Sequence, residues 1–381
     1  MGEPAEIDSE RTWADQRSAF DELREQCPVA RGNGRLMLLR HADVIAAAKD
    51  PEVFSSKVSR RRVIPNGLDG EEHTAYRAIV DKYFSAERVA HEELQCRESA
   101  ATILERLPRG QMVRTITDIG TPYAVRTMST WLGWPAEVQS DLVEWMARNH
   151  AATRSGDRQQ MAAVAEEFDL LIHSLLGPRR DGPATDVTAE LMREEVDGRR
   201  LTDAEVVSIL RNFTAGDLGS MATSAGVVVH YLAANPHIQR QLRDQVRTAS
   251  SAVLEDAVNE ILRIDDPFVS NRRRTTQEVE VGGTVVAPGS EVLLNWTAAN
   301  RDPRVFPDPD SYDPVANAPA NLVFGTGPHV CPARGLTLME LRVLTEELLT
   351  RTSWIELDQH EPAVRETPPV GGWARVPVVL S

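Results

Sequence analysis

"FGTGPHVCPAR", Phe324 to Arg334, is the stretch whose reading decides the fold. It places a cysteine two residues after a histidine, inside a loop rich in glycine and proline. The segment behind it, "GLTLMELRVLTEELLTR", reads as a helix. A lone cysteine in front of a helix is a nucleophile, a metal ligand or an ordinary buried residue. A structural zinc site needs about four Cys/His ligands, and only His329 lies close by in sequence. As a nucleophile, Cys331 would have its base at the −2 position. The plain alternative is burial, because free cysteine is among the most often buried residue types.

Composition narrows the setting. The chain has 381 residues, acceptable for one large helical domain, and we expect residues 1–381 to form one. Its three cysteines, Cys27, Cys96 and Cys331, are scattered and odd in number, which argues for a reducing compartment over a disulfide framework. The opening "MGEPAEIDSERTWADQ" is acidic and polar, unlike a secretory signal. Apolar stretches such as "AGVVVHYLAA" (Ala225–Ala234) fall short of the roughly 20 residues a membrane helix needs. A formal charge of −15 disfavours nucleic acid as a partner. A cytoplasmic protein, with neither membrane nor nucleic-acid partner, is expected.

The pattern along the chain predicts helices through the middle and strands towards both ends. Thr12–Gln26 has helical spacing of Trp13, Phe20 and Leu23, and "ARGNGRLMLLR" predicts a hairpin turning at Asn33-Gly34. Helices are expected at about 41–49, 71–84, 86–106, 116–132, 135–150 and 159–176. "PRRDGPATD" (Pro178–Asp186) is expected to be a loop within the domain. One long helix is predicted from about Thr202 to Ala234, with Asp203 and Glu205 in its first turn. Pro236 ends it and starts another, and "SAVLEDAVNEILRI" is a further helix. "RRTTQEVEVGGTVVAPGSEVLLN" alternates as strands about Gly282-Gly283 and Pro288-Gly289. "NRDPRVFPDPDSYDPVANAPAN" is proline-rich and aperiodic, the kind of long irregular segment that usually has a function.

The loop around Cys331 adds two physical facts. Gly325 and Gly327 let the backbone pass close to something flat or bulky. The helix that follows aims amide N–H groups and its positive dipole end at the sulfur, which is expected to lower the thiol pKa. A thiolate in a sheltered, glycine-lined loop makes a good axial ligand for haem iron. The loop resembles the haem-binding signature of the cytochrome P-450 family: Phe324, Gly325, Gly327, His329 and Cys331 match, as does Leu336. Ala333 stands where that family usually has glycine, and Thr337 where it has alanine. "EILR" supplies its Glu-x-x-Arg pair as Glu260 and Arg263, "NRDPRVFPDPDSYDP" is similar to the meander before the cysteine loop, and "EEHTAYRAIVDKYFS" to the early helix carrying His and Arg. The meander's usual arginine falls on Ala316, with Arg304 as a substitute to consider.

The resemblance implies a mainly α fold with a small β-rich region, a triangular helical prism around haem b (iron protoporphyrin IX). Cys331 is the implied iron ligand. His73 and Arg77, at i and i+4 on one helix face, and Arg273 are the implied propionate partners, with His329 beside the ligand. Arg272 or Arg274 could replace Arg273 in the run "RRR". Phe324, Gly325, Ala215 and Gly216 are the implied neighbours of the macrocycle. The family's long helix normally carries Ala/Gly-Gly-any-acid-Thr, an acid–alcohol pair that relays protons. Here "TAGDLGSMATS" has its acid one place early, as Asp217, with Leu218 and Gly219 at the usual acid and threonine positions and a hydroxyl at Ser220. Asp217 and Ser220 are therefore the implied catalytic pair, as a shifted relay. The implied activity is monooxygenation of an apolar or aromatic small molecule, with secondary metabolism as a setting. The alternatives are oxidative C–C, C–N or aryl coupling on the same scaffold, and a haem protein without turnover. No fused reductase is expected, so a ferredoxin and its reductase are the implied electron donors. A basic patch of Arg334 and Arg342 is expected to receive them. "KVSRRRVIPNGLDG" (Lys57–Gly70) resembles the variable loop over the pocket, its arginines pointing either to a polar or anionic substrate group or to solvent.

Overall fold

The structure is a computed structural model describing residues 4–32, 34–180, 182–183, 185–368 and 370–381. Helices dominate its middle. His41–Lys49, Gly70–Asp81, Ala86–Glu105, Thr121–Trp131, Val138–Ser155 and Arg158–Leu176 lie where apolar periodicity places them. The segment before Thr121 is a π-helical turn, Thr115–Gly120. Of the predicted hairpin turn, Asn33 lies outside the described residues. Its flanking strands Val29–Gly32 and Arg35–Leu38 pair antiparallel. Of the predicted loop at 178–186, Asp181 and Ala184 also lie outside them.

Leu218–Ala234 is the central helix. Met221, Ala222, Ala225, Val227, Val228, Val229 and Leu232 are all buried on it. A helix apolar on every side belongs inside a core, and this one packs against Thr121–Trp131, Ser251–Ile264 and Arg334–Arg351. It is not continuous with the helix before it, contrary to the sequence expectation. Asp203–Ala215 ends at Gly216, and the next helix starts at Leu218. The apolar pattern runs across the junction and hides the break. The predicted first turn is present as a capping box, in which Thr202 N–H donates to Glu205 Oε2 at 2.8 Å and Glu205 N–H to Thr202 Oγ1 at 3.3 Å.

A six-stranded mixed sheet flanks the helices. Its order is Ala5–Glu6, Val29–Gly32, Arg35–Leu38, Glu291–Asn295, Ser270–Thr275 and Phe54–Ser55. Ser270–Thr275 runs antiparallel to Glu291–Asn295, with Arg273 opposite Val292. Smaller sheets include the hairpin Val279–Val281/Thr284–Val286, turning at Gly282-Gly283 as expected.

One side chain ties three points of the irregular segment 300–321 to the helices. Arg263 on Ser251–Ile264 donates to both carboxylate oxygens of Glu260 at 2.8 Å. Its remaining N–H groups reach the carbonyls of Asn300 (2.9 Å), Pro309 (3.1 Å) and Ser311 (3.1 Å). Glu260 Oε1 also accepts from the Asp313 N–H at 3.1 Å and from Asn317 Nδ2 at 2.7 Å. Asn317 therefore supplies the donor that the arginine absent at Ala316 would have given. Arg304 does not: it pairs with Asp302 at 3.2 Å and Glu25 at 3.6 Å.

These bonds are buried, so their loss is graded. Glu260→Ala leaves the Arg263 guanidinium unpaired in the core and should lower unfolding free energy by about 3–5 kcal/mol. Asn317→Ala removes one donor among four and should lower it by about 1–3 kcal/mol. Urea unfolding of the two variants checks the ranking.

Candidate functional site

The Cys331 loop is shaped by backbone contacts. Gly325 N–H donates to Leu322 O at 2.8 Å, and Cys331 N–H to Phe324 O at 2.9 Å. Gly325 and Gly327 both have positive φ, +71° and +76°. At Gly327 a Cβ would also stand 2.5 Å from the Ala48 carbonyl oxygen, so only glycine lets this loop dock on the His41–Lys49 helix. Ala333, where the resembled family has glycine, sits at φ −85°, which any residue adopts. The loop's start is tied to the Glu260 helix through Asn321 Nδ2 and Asn259 O (3.0 Å), and to the irregular segment through Leu322 N–H and Asn300 Oδ1 (2.7 Å).

Cys331 lines a cavity of about 290 Å³ together with Gly216, Asp217, Ser220, Arg273, Phe324, Gly325 and His329. Residues distant in sequence thus meet at one space. Burial pushes the free thiol up to about 11, outweighing the Ala333 N–H and the charges of Arg77 and Arg334, which favour the thiolate. The expected lowering by the helix terminus is present and loses to desolvation. A metal cation displaces such a proton outright. His329 is not poised as a base: its Nε2 bonds to Ser56 Oγ at 3.0 Å and lies 3.6 Å from Asp69. Burial, with His73 and Arg273 beside it, holds its pKa near 4 and the ring neutral. Among the described residues, no group of three His, Cys, Asp or Glu side chains could hold a metal between them. The zinc and nucleophile readings therefore fall away.

Strand alternation divides the arginine run between two faces. Asn271 and Arg273 face the cavity, while Arg272 and Arg274 face the other way. Arg273 is buried, its Nη1 bonded only to the Arg272 carbonyl at 2.9 Å, with no carboxylate partner among the described residues. Burial lowers its pKa, partly countered by Asp69. A buried cation without a counter-ion is costly, so this wall fits a group that brings its own carboxylates, as haem does. His73 packs against His329 at 4.2 Å between ring centroids, the rings tilted by 50°, and does not itself line the cavity. Arg77 is also set back, paired with Asp81 at 2.6 Å and donating to Pro328 O at 3.1 Å. Ala215 is exposed at its helix end and is not on the cavity wall.

At the helix break, Asp217 and Ser220 both line the cavity, but their side chains are not bonded to each other. Ser220 Oγ donates to the carbonyls of Gly216 (2.9 Å) and Asp217 (3.0 Å). Asp217 Oδ2 is buried without a partner, and burial raises the carboxyl to about 7. Gly219 points elsewhere: His150 Nε2 lies 3.0 Å from where its Cβ would be. Ser224, one turn beyond Ser220, also lines the cavity. Sequence reasoning missed it, although i+4 spacing from Ser220 was available as a signal. It also missed Asn66 and Asn212, which come from separate segments. Arg342 corrects another expectation, being buried and paired with Glu93 (2.6 Å), Glu255 (3.0 Å) and Glu346 (2.9 Å). It cannot form a surface patch with Arg334, which is exposed.

A family model of cytochrome P450 matches residues 127–378. The chain belongs to the cytochrome P450 family. It is 29% identical to cyclomarin C epoxidase of Salinispora arenicola (strain CNS-205), over 92% of each chain, and 27% identical to linalool 8-monooxygenase of Pseudomonas putida, over 89% of each. The structure of cytochrome P450 CYP109Q5 from Chondromyces apiculatus superposes with a TM-score of 0.87 at 24% identity, covering 99% of this chain and 98% of that one. The P450 fold and monooxygenase class are thereby shown, and the family implies a haem-iron cofactor. Among the described residues, no helix is long and apolar enough to cross a membrane.

The Asp217 carboxyl sets a pH dependence. Its folded pKa, about 7, lies above the ordinary value of 3.8. Stability is therefore lost as pH rises from about 4 to 7, where the unfolded chain ionises and the folded chain does not. Asp217→Asn, neutral throughout, should gain on wild type at pH 8 relative to pH 5 in urea unfolding. An unchanged difference between those pH values would place the carboxyl in a more polar setting.

Proposed function

We propose that this P450 binds haem b with Cys331 as thiolate ligand and inserts one oxygen atom into an apolar or aromatic small molecule. The observation that carries this reading is the single cavity that Cys331, Asp217, Ser220 and Arg273 line together. Arg273 would take a propionate directly. His329 would stand beside it, with His73 and Arg77 supporting from behind. Phe324, Gly325 and Gly216 would lie against the macrocycle, with Ala215 at its margin. The haem, when bound, supplies two-electron activation of O₂. The epoxidase and monooxygenase relatives support small-molecule oxidation, and the former a role in secondary metabolism. A ferredoxin and its reductase are the proposed electron donors, docking near exposed Arg334, and the cytoplasm is the proposed location.

The chain's own contribution is proton handling. The Asp217 carboxyl, near neutrality in its pKa, holds a proton at the cavity wall, and Ser220 Oγ passes it inward after turning about χ1 away from the Gly216 and Asp217 carbonyls. General acid help of this kind is worth about 10²–10⁴-fold. Oxidative coupling is the second reading, and Gly219 favours it: the position that would carry the family's alcohol has no side chain, and His150 fills the space beside it.

Two measurements test this function. The reduced, CO-bound protein should absorb at the long-wavelength Soret position of thiolate ligation, and Cys331→Ala should abolish that band. A histidine-type spectrum from folded wild type would overturn the ligand assignment. Ser220→Ala and Asp217→Asn should slow product formation and divert reducing equivalents to peroxide, read as NADH consumed per product. Unchanged stoichiometry in both would leave these residues shaping the pocket only. Product mass separates oxygen insertion from coupling.

A further inference from the structure

Beyond the strand Ser270–Thr275 lies a larger space, an open cleft of about 1460 Å³. It shares two walls with the cavity at Cys331. The strand gives Asn271 and Arg273 to the cavity, and Arg272 and Arg274 to the cleft. The loop after Phe54–Ser55 gives Pro65 and Asn66 to the cavity, and Val58 and Arg60 to the cleft.

The cleft is basic on an acidic protein. Six arginines line it against two glutamates, while the whole chain carries −15. Some of this charge is already neutralised: Arg35 pairs with Glu291 at 2.6 Å, and Arg154 with Glu366 at 2.5 Å. Arg60, Arg158 and Arg274 have no ion pair or side-chain hydrogen bond among the described residues. The same alignment of charge disposes of the other arginines in the Lys57–Gly70 loop. Arg61 lies 3.6 Å from Asp169, and Arg62 pairs with Glu72 and Glu205. Only Arg60 of the three is free for a ligand.

Unpaired arginines on an open polar surface need no ligand. Here they share the cleft with apolar side chains. Trp13 is 63% exposed on its rim, with Met161 beside the opening, and Phe20 and Met37 are buried in its floor. Large exposed apolar groups next to convergent donors mark binding surfaces. Guanidinium forks match oxyanions in two-point fashion, and an indole offers a flat face to a hydrocarbon body.

We propose that this cleft binds an amphiphilic anion, an apolar body ending in a carboxylate or a phosphate. The free arginines take the oxyanion, and the body lies on Trp13.

Equilibrium dialysis of the haem-loaded protein against dodecanoate, dodecyl phosphate and dodecanol tests the binding. At least one anion should bind saturably, about tenfold or more tighter than dodecanol, and should weaken as salt rises. The tighter anion identifies the head group. Arg158→Glu combined with Arg274→Glu should lose about tenfold in anion affinity while keeping the wild-type CO spectrum. Tryptophan emission should change on anion binding in wild type and not in Trp13→Phe, a second readout independent of the charge variants. Equal affinity for dodecanol, or undiminished anion binding by the double variant, overturns the proposal. Co-sedimentation with phosphatidylglycerol vesicles without saturable binding of the soluble anions also overturns it, in favour of a membrane surface. A wild-type spectrum lacking thiolate ligation would sink the oxidation reading and leave the binding result standing.

Discussion

Arg263 engages its guanidinium in five hydrogen bonds, two to Glu260 and three to the carbonyls of Asn300, Pro309 and Ser311. An arginine has five N–H donors in a fixed planar fork, so the side chain is saturated. The three carbonyls belong to a segment that makes almost no regular structure of its own. Without those donors, their desolvation would be uncompensated. The segment therefore follows the fork, and what comes after it follows too. Asn300, whose carbonyl is one of the three, uses its side chain to accept from Leu322 N–H, three residues before Gly325. The position of Cys331 is thus referred back, bond by bond, to a charge buried one helix away.

The same loop shows a contest between two effects on one sulfur. The helix terminus and nearby arginines favour a thiolate, and burial disfavours it. Burial wins for the free thiol. Among the described residues Arg273 has no carboxylate partner and the Cys331 thiol has no cation able to outweigh its burial, and both line one cavity. Two opposite demands on one cavity constrain what fits it more than either alone. The haem proposed above would meet both, bringing positive charge to the sulfur and carboxylates to Arg273.

The loop Phe324–Arg334 was legible because its chemistry is contiguous: two glycines with positive φ, a histidine and a cysteine fall within eight residues. Glu260 and Arg263 were legible because one helical turn joins them. The surrounding partners were less so. Asn317 replaces an arginine from the next position along, which depends on how a short helical turn at Pro314–Asn317 aims its side chains. Arg342 looked like part of a surface because it is near Arg334 in sequence, yet three carboxylates from three elements enclose it. The helix break at Gly216 was masked by apolar residues on both sides. Secondary-structure periodicity reports burial, and the exposed pair Ala215-Gly216 is too short an interruption between buried Thr214 and Leu218 to disturb it.

That break also sets which side chains of this stretch reach the cavity. Hydroxyl side chains near it bond back to carbonyls that a regular helix would use: Thr214 Oγ1 to Leu210 O at 2.8 Å, Ser220 Oγ to Gly216 O at 2.9 Å and Thr223 Oγ1 to Gly219 O at 3.0 Å. Such bonds bend helices and satisfy acceptors that bending exposes. Gly216 adds a residue without a side chain at the bend. With the register reset there, Asp217, Ser220 and Ser224 follow one another along the cavity wall, while Gly219 turns towards His150. The hydroxyls at this cavity are therefore chosen by helix face: Ser220, with Ser224 one turn along, lines it.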